Sequence, residues 1–290
     1  MNNLIQSHKQ HQNWLMAIEI IHELNELCLH IRSHRGTSTA QLEGDKFFES
    51  FTEKTAQTIS EKLVDLDERN SIFSSFEAED AFFVVVQQWL KIQLHWRQWY
   101  AYKNFSKHSD LLADIHKLIC QISDYYIKQQ RDESDSAELA YFLFHPHIKA
   151  MESIAKIRGL GCFTCAKQYV SAEDKKVLRT EIKQFYLLWS QRNEAFMQLP
   201  LLMQSPLIKD ADARQLNAFI ADFIHLTEPL VMHHPAMPNA TEIFNAGSCI
   251  LNIMNMQFNL GLEQLKEYFP DELQQWVNQQ EDFYRLVKPL

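Results

Sequence analysis

The stretch ELCLHIRSHRGTSTAQLEGD, residues 26–45, decides how this chain folds. Followed back to Trp14, its inward positions recur at spacings of four and three: Trp14, Ile18, Ile21, Asn25, Cys28, Ile31, Arg35, Ser38 and Leu42. That spacing puts them on one face of a helix and predicts a long bundle helix from Lys9 to Gly44. One position breaks the apolar logic: Arg35 stands where a bundle wants leucine, and Gly36 follows it.

Composition agrees with a helical reading. The chain has 290 residues and only six glycines, where average usage gives about twenty. Strand-rich folds and phosphate-cradling loops use glycine freely at turns, so the scarcity predicts long helices with short connections. Seven of the eight prolines lie at Pro200 or later, and Pro146 alone interrupts the first two thirds. Amphipathic segments are expected near 45–67, 77–105 and 109–130, then a polar break at Asp132 to Ser136. Further segments are expected near 137–169, 172–197, 210–230, 239–268 and 270–287. Ser171 to Asp174 and Pro238 to Glu242 look like helix starts, and the aromatic run from Phe82 to Phe105 like a helix packed on several sides.

The fold expected is therefore all-α, two four-helix bundles of long antiparallel helices in one domain spanning 1–290. Its halves are placed at about 9–131 and 137–268, with a short C-terminal helix over 270–287. A formal net charge of −9 without a basic face beside stacking aromatics argues against nucleic acid as a partner. No run approaches the length of a membrane span, and the start lacks signal-peptide blocks, so a cytoplasmic location and no membrane are expected. Five cysteines, an odd number, fit reduced thiols in that compartment.

A second arginine repeats the first. MESIAKIRGLGCFTCAKQY, residues 151–169, carries Arg158 and Gly159, and Met151, Ala155, Arg158, Cys162 and Cys165 again trace an inward stripe. Each half therefore turns a cation toward its core. A buried guanidinium must find an anion, because leaving it unpaired costs several kcal/mol. Gly36, Gly44, Gly159 and Gly161, four of the six glycines, flank these arginines. Lacking Cβ, they let a helix or ligand approach closely. Ser38 and Thr39 add hydroxyls, and Arg32 a second planar fork of donors suited to an oxyanion. The competing reading pairs Arg35 and Arg158 with carboxylates such as Glu79 or Asp80 and makes them structural.

Arg32 to Ser38, Arg-x-x-Arg-Gly-x-Ser after a Leu/Ile-rich helix, resembles the first signature of the nitrate- and nitrite-sensing domain family. Glu152 to Ser171 resembles its second signature, a glutamate followed by Arg-Gly. The resemblance spans about 10–268 and implies an all-helical fold of two four-helix bundles holding nitrate or nitrite between arginines. Carried over, it makes Arg35 and Arg158 ligand-binding, with Arg32, Gly36, Ser38 and Gly159 beside them and His34 next to the first. Where such domains carry a basic residue on a late helix, this chain has IFNAGSCILNIMNM, residues 243–256, with none. Relatives usually carry an output domain. The tail after Pro270 is too short for one, so the signal is expected to leave through a protein partner or a homodimer.

Other chemistries have thinner support. Cys162-Phe163-Thr164-Cys165 is one C-x-x-C without a second pair, inside a helix. Glu19/His22 and Asp222/His225 echo di-iron Glu-x-x-His pairs but lack bridging glutamates, and His233-His234 precedes Pro235 in a loop. No G-x-S-x-G, Walker loop or G-x-G-x-x-G is present. The expectation is a regulatory anion receptor, not an enzyme, with no cofactor, no metal and no catalytic residue. Its rivals are a helical protein-interaction scaffold and a metal- or redox-binding bundle.

Overall fold

The computed structural model describes the backbone of residues 2–44, 49–69, 73–74, 76–127, 135–167, 169–232 and 238–287. It describes the side chains of those within 12–267, apart from 126 and 127. The fold is all-α, with no strand among the described residues. In chain order the helices are α1 (Asn2–Leu42), α2 (Glu49–Glu68), α3 (Glu79–His95), α4 (Ala101–Ile127), α5 (Asp135–Phe142) and α6 (Ile148–Ala166). There follow α7 (Ala172–Gln198), α8 (Leu201–Leu207), α9 (Ala211–Arg214), α10 (Leu216–Val231) and α11 (Ala240–Val287).

The α1 stripe packs as its spacing demands, with Trp14, Ile18, Ile21, Asn25, Cys28, Ile31, Arg35 and Ser38 all buried. Capping at Ser171 also follows the sequence: its hydroxyl accepts from the Asp174 backbone N–H at 3.0 Å, and the Asp174 carboxylate accepts from the Ser171 N–H at 2.8 Å. Asn239 caps α11 by accepting from the Thr241 N–H at 2.8 Å. Of the expected polar break, 132–134 lie outside the described residues, while Asp135 and Ser136 open α5. His233 and His234 also lie outside them.

Several elements differ from the sequence reading. The expected segment 77–105 divides: α3 tightens into a 3₁₀ turn at Trp96–Gln98, Trp99 is extended (ψ 156°), and α4 begins at Ala101. No glycine or proline marks this turn. The expected 137–169 helix contains a π segment, Leu143–His147, around Pro146. Proline has no N–H to donate to the preceding turn, and one wider turn absorbs the loss without ending the helix. The segments expected at 239–268 and 270–287 are one helix, α11, which passes Pro270. A short C-terminal helix is therefore corrected to the far end of a long one, because proline removes one backbone hydrogen bond while its neighbours along the helix remain. The aromatic run is also one-sided: Phe82, Val85, Trp89, Ile92 and Trp96 are buried, but Phe83 and Leu94 are 61% and 72% exposed.

Two apolar cores form. One gathers α1 to α5, the π segment, α8 and the distal part of α11 through Phe258, Leu262 and Leu265. The other gathers α6, α7, α9, α10 and the proximal part of α11 from Ile243 to Met254, with Phe105 of α4. The helix α11 thus serves both cores, while α1 touches α4, α6 and α11. Where these four helices converge, the arginines sit.

Candidate functional site

Arg32 and Arg35 lie one turn apart on α1, 2% and 1% exposed, and both reach Glu152 on α6. Arg32 Nε donates to Glu152 Oε2 at 2.9 Å, and Arg35 Nη1 donates to Glu152 Oε1 at 2.5 Å and to Ser109 Oγ at 2.9 Å. Glu152, not Glu79 or Asp80, is the carboxylate that answers the first arginine signature; both alternatives are exposed. Burial alone raises a carboxyl pKa, but Arg35 and then Arg32 overrule it and hold Glu152 down at about 2. The guanidinium of Arg35 also stacks over Phe105 of α4, 4.7 Å from its ring centre.

Arg158 lies six residues beyond Glu152 on α6. Its Nη1 donates to Ser248 Oγ of α11 at 2.8 Å, and the group stacks over Phe244 at 5.1 Å. No carboxylate pairs with it among the described residues. Desolvation, followed by the positive charges of Arg35 and Arg32, lowers its pKa to about 10. The stretch 243–256 thus brings no cation but supplies the aromatic ring, the hydroxyl and Gly247. A Cβ on Gly247 would lie 2.9 Å from Arg158 Cγ, so only glycine admits the side chain there. At Gly159 a Cβ would lie 3.1 Å from the Phe105 ring, which would have to give by a few tenths of an ångström. Gly36, by contrast, faces open space.

The charge count is lopsided. Among the described residues Arg32 and Arg35 share one carboxylate, and Arg158 pairs with none. Two terminal nitrogens, Arg32 Nη1 and Arg35 Nη2, are buried with no acceptor. Each is a charged donor out of reach of water, a costly arrangement unless an anion completes it. Ser38 does not point its donor that way. Its hydroxyl donates to the Arg35 carbonyl at 3.4 Å and accepts from Asn104 Nδ2 at 2.8 Å, and Thr39 sits alike.

Neutral histidines surround the arginines. His108 Nδ1 donates to the Asn104 carbonyl at 2.8 Å, so its Nε2 must accept from His34 Nδ1 at 2.7 Å. His34 Nε2 is left buried without a partner. His116 Nε2 accepts from Arg32 Nη2 at 3.2 Å, and on its outer side lines an open groove of 830 Å³ with Cys120, Asp124 and Lys149. One imidazole therefore separates that groove from the guanidinium cluster. Burial first, and the arginines second, push His116 down to about 3; burial likewise takes His108 to about 3 and His34 well below its usual range.

These shifts set an acid limit on the fold. Histidines whose folded pKa lies below 6.5 stay neutral while the unfolded chain takes up protons. Their contribution is whole above about pH 6.5 and is lost as pH falls from there toward 3, each by up to about 1.4 kcal/mol per pH unit. Glu152 adds its loss lower, between its ordinary 4.5 and about 2. Urea midpoints should therefore drop clearly between pH 7 and pH 5, and a flat profile over that range would contradict the neutral assignments.

The remaining candidates face other ways. The thiols of Cys162 and Cys165 are pushed up to about 12 and about 11 by burial, the reverse of what metal or redox chemistry uses. Glu19, His22, Asp222 and His225 are all exposed, so both Glu/Asp-x-x-His pairs lie on outer faces. Among the described residues no cluster of three potential metal ligands forms, and no helix is long and apolar enough to cross a membrane.

The fold and the buried arginine cluster together define a two-core, all-helical protein. No protein-family model matches the sequence, and no curated protein matches it. Among solved structures, the NasR transcription antiterminator superposes with a TM-score of 0.69, covering 97% of this chain and 76% of that one at 14% identity. The likeness is one of fold.

Proposed function

We propose that the chain is a receptor for a small oxyanion of the nitrate or nitrite type, bound where Arg32, Arg35 and Arg158 converge. The observation that carries this reading is the excess of buried guanidinium over carboxylate, with Arg32 Nη1 and Arg35 Nη2 lacking acceptors. Arginine's planar fork suits a planar oxyanion, and a small anion satisfies the charge without the bulk that a packed bundle refuses. The signature resemblance points to the same ligand. The whole chain then acts as one cytoplasmic sensing domain, with α1, α6 and α11 repacking on binding, and the signal leaving through a protein partner or a second copy. Output cannot exceed the difference in anion affinity between the two packings.

The neighbour in fold is a transcription antiterminator, which supports a regulatory role rather than catalysis. For the same reason the exclusion of nucleic acid drawn from composition is set aside, and control over transcripts, direct or through a partner, enters the proposal. The scaffold reading retains one favourable observation, the Glu152 pairing that makes Arg35 partly structural. Thermal melts separate the two readings. Sodium nitrate at a hundred times its dissociation constant should add about 2.7 kcal/mol relative to sodium chloride at the same ionic strength. Identical melts in the two salts would favour the scaffold.

A further inference from the structure

Arg192 of α7 repeats the charge problem on another helix. It is 5% exposed and pairs with no carboxylate among the described residues. Its bonds go to neutral acceptors: Nη2 to Gln257 Oε1 at 2.8 Å, Nη1 to Asn193 Oδ1 at 3.1 Å, and Nε to His147 Nδ1 at 3.5 Å. His147 Nε2 donates to the Met254 carbonyl at 2.8 Å, which fixes Nδ1 as the acceptor. The rings of Phe142, Trp189 and Phe196 surround the guanidinium at 4.8 to 5.2 Å. Desolvation lowers its pKa to about 9. Of the five N–H donors an arginine carries, three have acceptors here, and each terminal nitrogen keeps one N–H.

Arg192 also lines a cavity of 430 Å³ beneath α9 and the start of α10. Trp189, Phe196, Met197, Ile208 and Leu216 make its walls largely apolar, Asn217 and Arg214 stand among its polar lining, and no carboxylate lines it. A greasy chamber of this size with one buried, charge-uncompensated fork is shaped for an organic acid rather than a bare inorganic ion. We infer that this cavity is a second binding site, taking a small organic monocarboxylate whose acid group pairs with Arg192 and whose apolar body fills the space between α7 and α10. The cavity shares no lining residue with the Arg32, Arg35 and Arg158 cluster, and the inference does not depend on the reading given to that cluster.

The test titrates the purified full chain calorimetrically with benzoate, 2-naphthoate and octanoate, each beside its neutral primary amide. At least one acid should bind saturably, and its amide at least about tenfold more weakly. Arg192→Gln should abolish the preference for the acid. Because that variant alters a buried group, Asn217→Asp gives an independent check. The residue is exposed, its carboxylate still accepts from Trp189 Nε1 as the amide oxygen does at 3.1 Å, and it places a negative charge at the cavity wall. It should weaken acid binding and leave the amides unchanged. No binding by any acid, equal binding of acid and amide, or acid binding untouched in Asn217→Asp would each overturn the site.

Discussion

Glu152→Ala should cost the unliganded protein about 3–5 kcal/mol, because it strands two buried guanidinium groups at once. Arg32 and Arg35 both spend their carboxylate bonds on Glu152, and no other acid reaches either among the described residues. The variant should also respond to nitrate more than the natural sequence does, since an exogenous anion then stands in for the missing carboxylate. Urea denaturation in nitrate and in chloride reads both effects. A loss below about 1 kcal/mol would mean that water or other groups already compensate the pair.

The opposite sign is expected at Arg158. Its contacts are a hydroxyl and an aromatic face, with no carboxylate described, so the unliganded protein holds it at a desolvation cost. Replacing a buried ion pair or triad with apolar side chains of similar volume is neutral or stabilising by up to about 4 kcal/mol, and the partly buried Arg158 leaves no described carboxylate stranded when it is replaced. Arg158→Met should therefore leave apo stability unchanged or raise it, while removing the gain on adding nitrate. Effects of nitrate on water structure are shared by both proteins and cancel in the comparison. A fall of several kcal/mol without nitrate would assign Arg158 to the structure instead of the ligand.

The arginine pair shows what a sequence can and cannot convey. The α1 stripe was legible because a single long helix carries its own period, and Arg35 stood out as a cation within it. Glu152 stands out as the glutamate of the second signature, but not as the partner of Arg35, because it lies 117 residues away on a helix buried on most faces, where inward and outward positions lose their contrast. Arg35 divides between a structural and an unsatisfied donor: Nη1 goes to Glu152, while Nη2 has no acceptor. The turn at Trp99 carries no breaker residue, and Pro270 has the look of a stop but is carried within α11, whereas Pro146 lies inside a segment expected to be helical and only widens it. Gly247 carries no signal in the sequence, because its need for glycine comes from Arg158 of α6, which only folding brings against it. Arg192 had no signal at all: on α7 it sits among polar neighbours, and only folding brings Gln257 and three aromatic rings around it.

Calorimetric titration of nitrate and nitrite into the purified chain, run in parallel on Arg158→Met, tests the central claim most directly. The account predicts saturable binding of at least one of the two anions to the natural sequence and no binding of either to the variant. Silence of the natural sequence toward both anions, or equal binding by the two proteins, would contradict it.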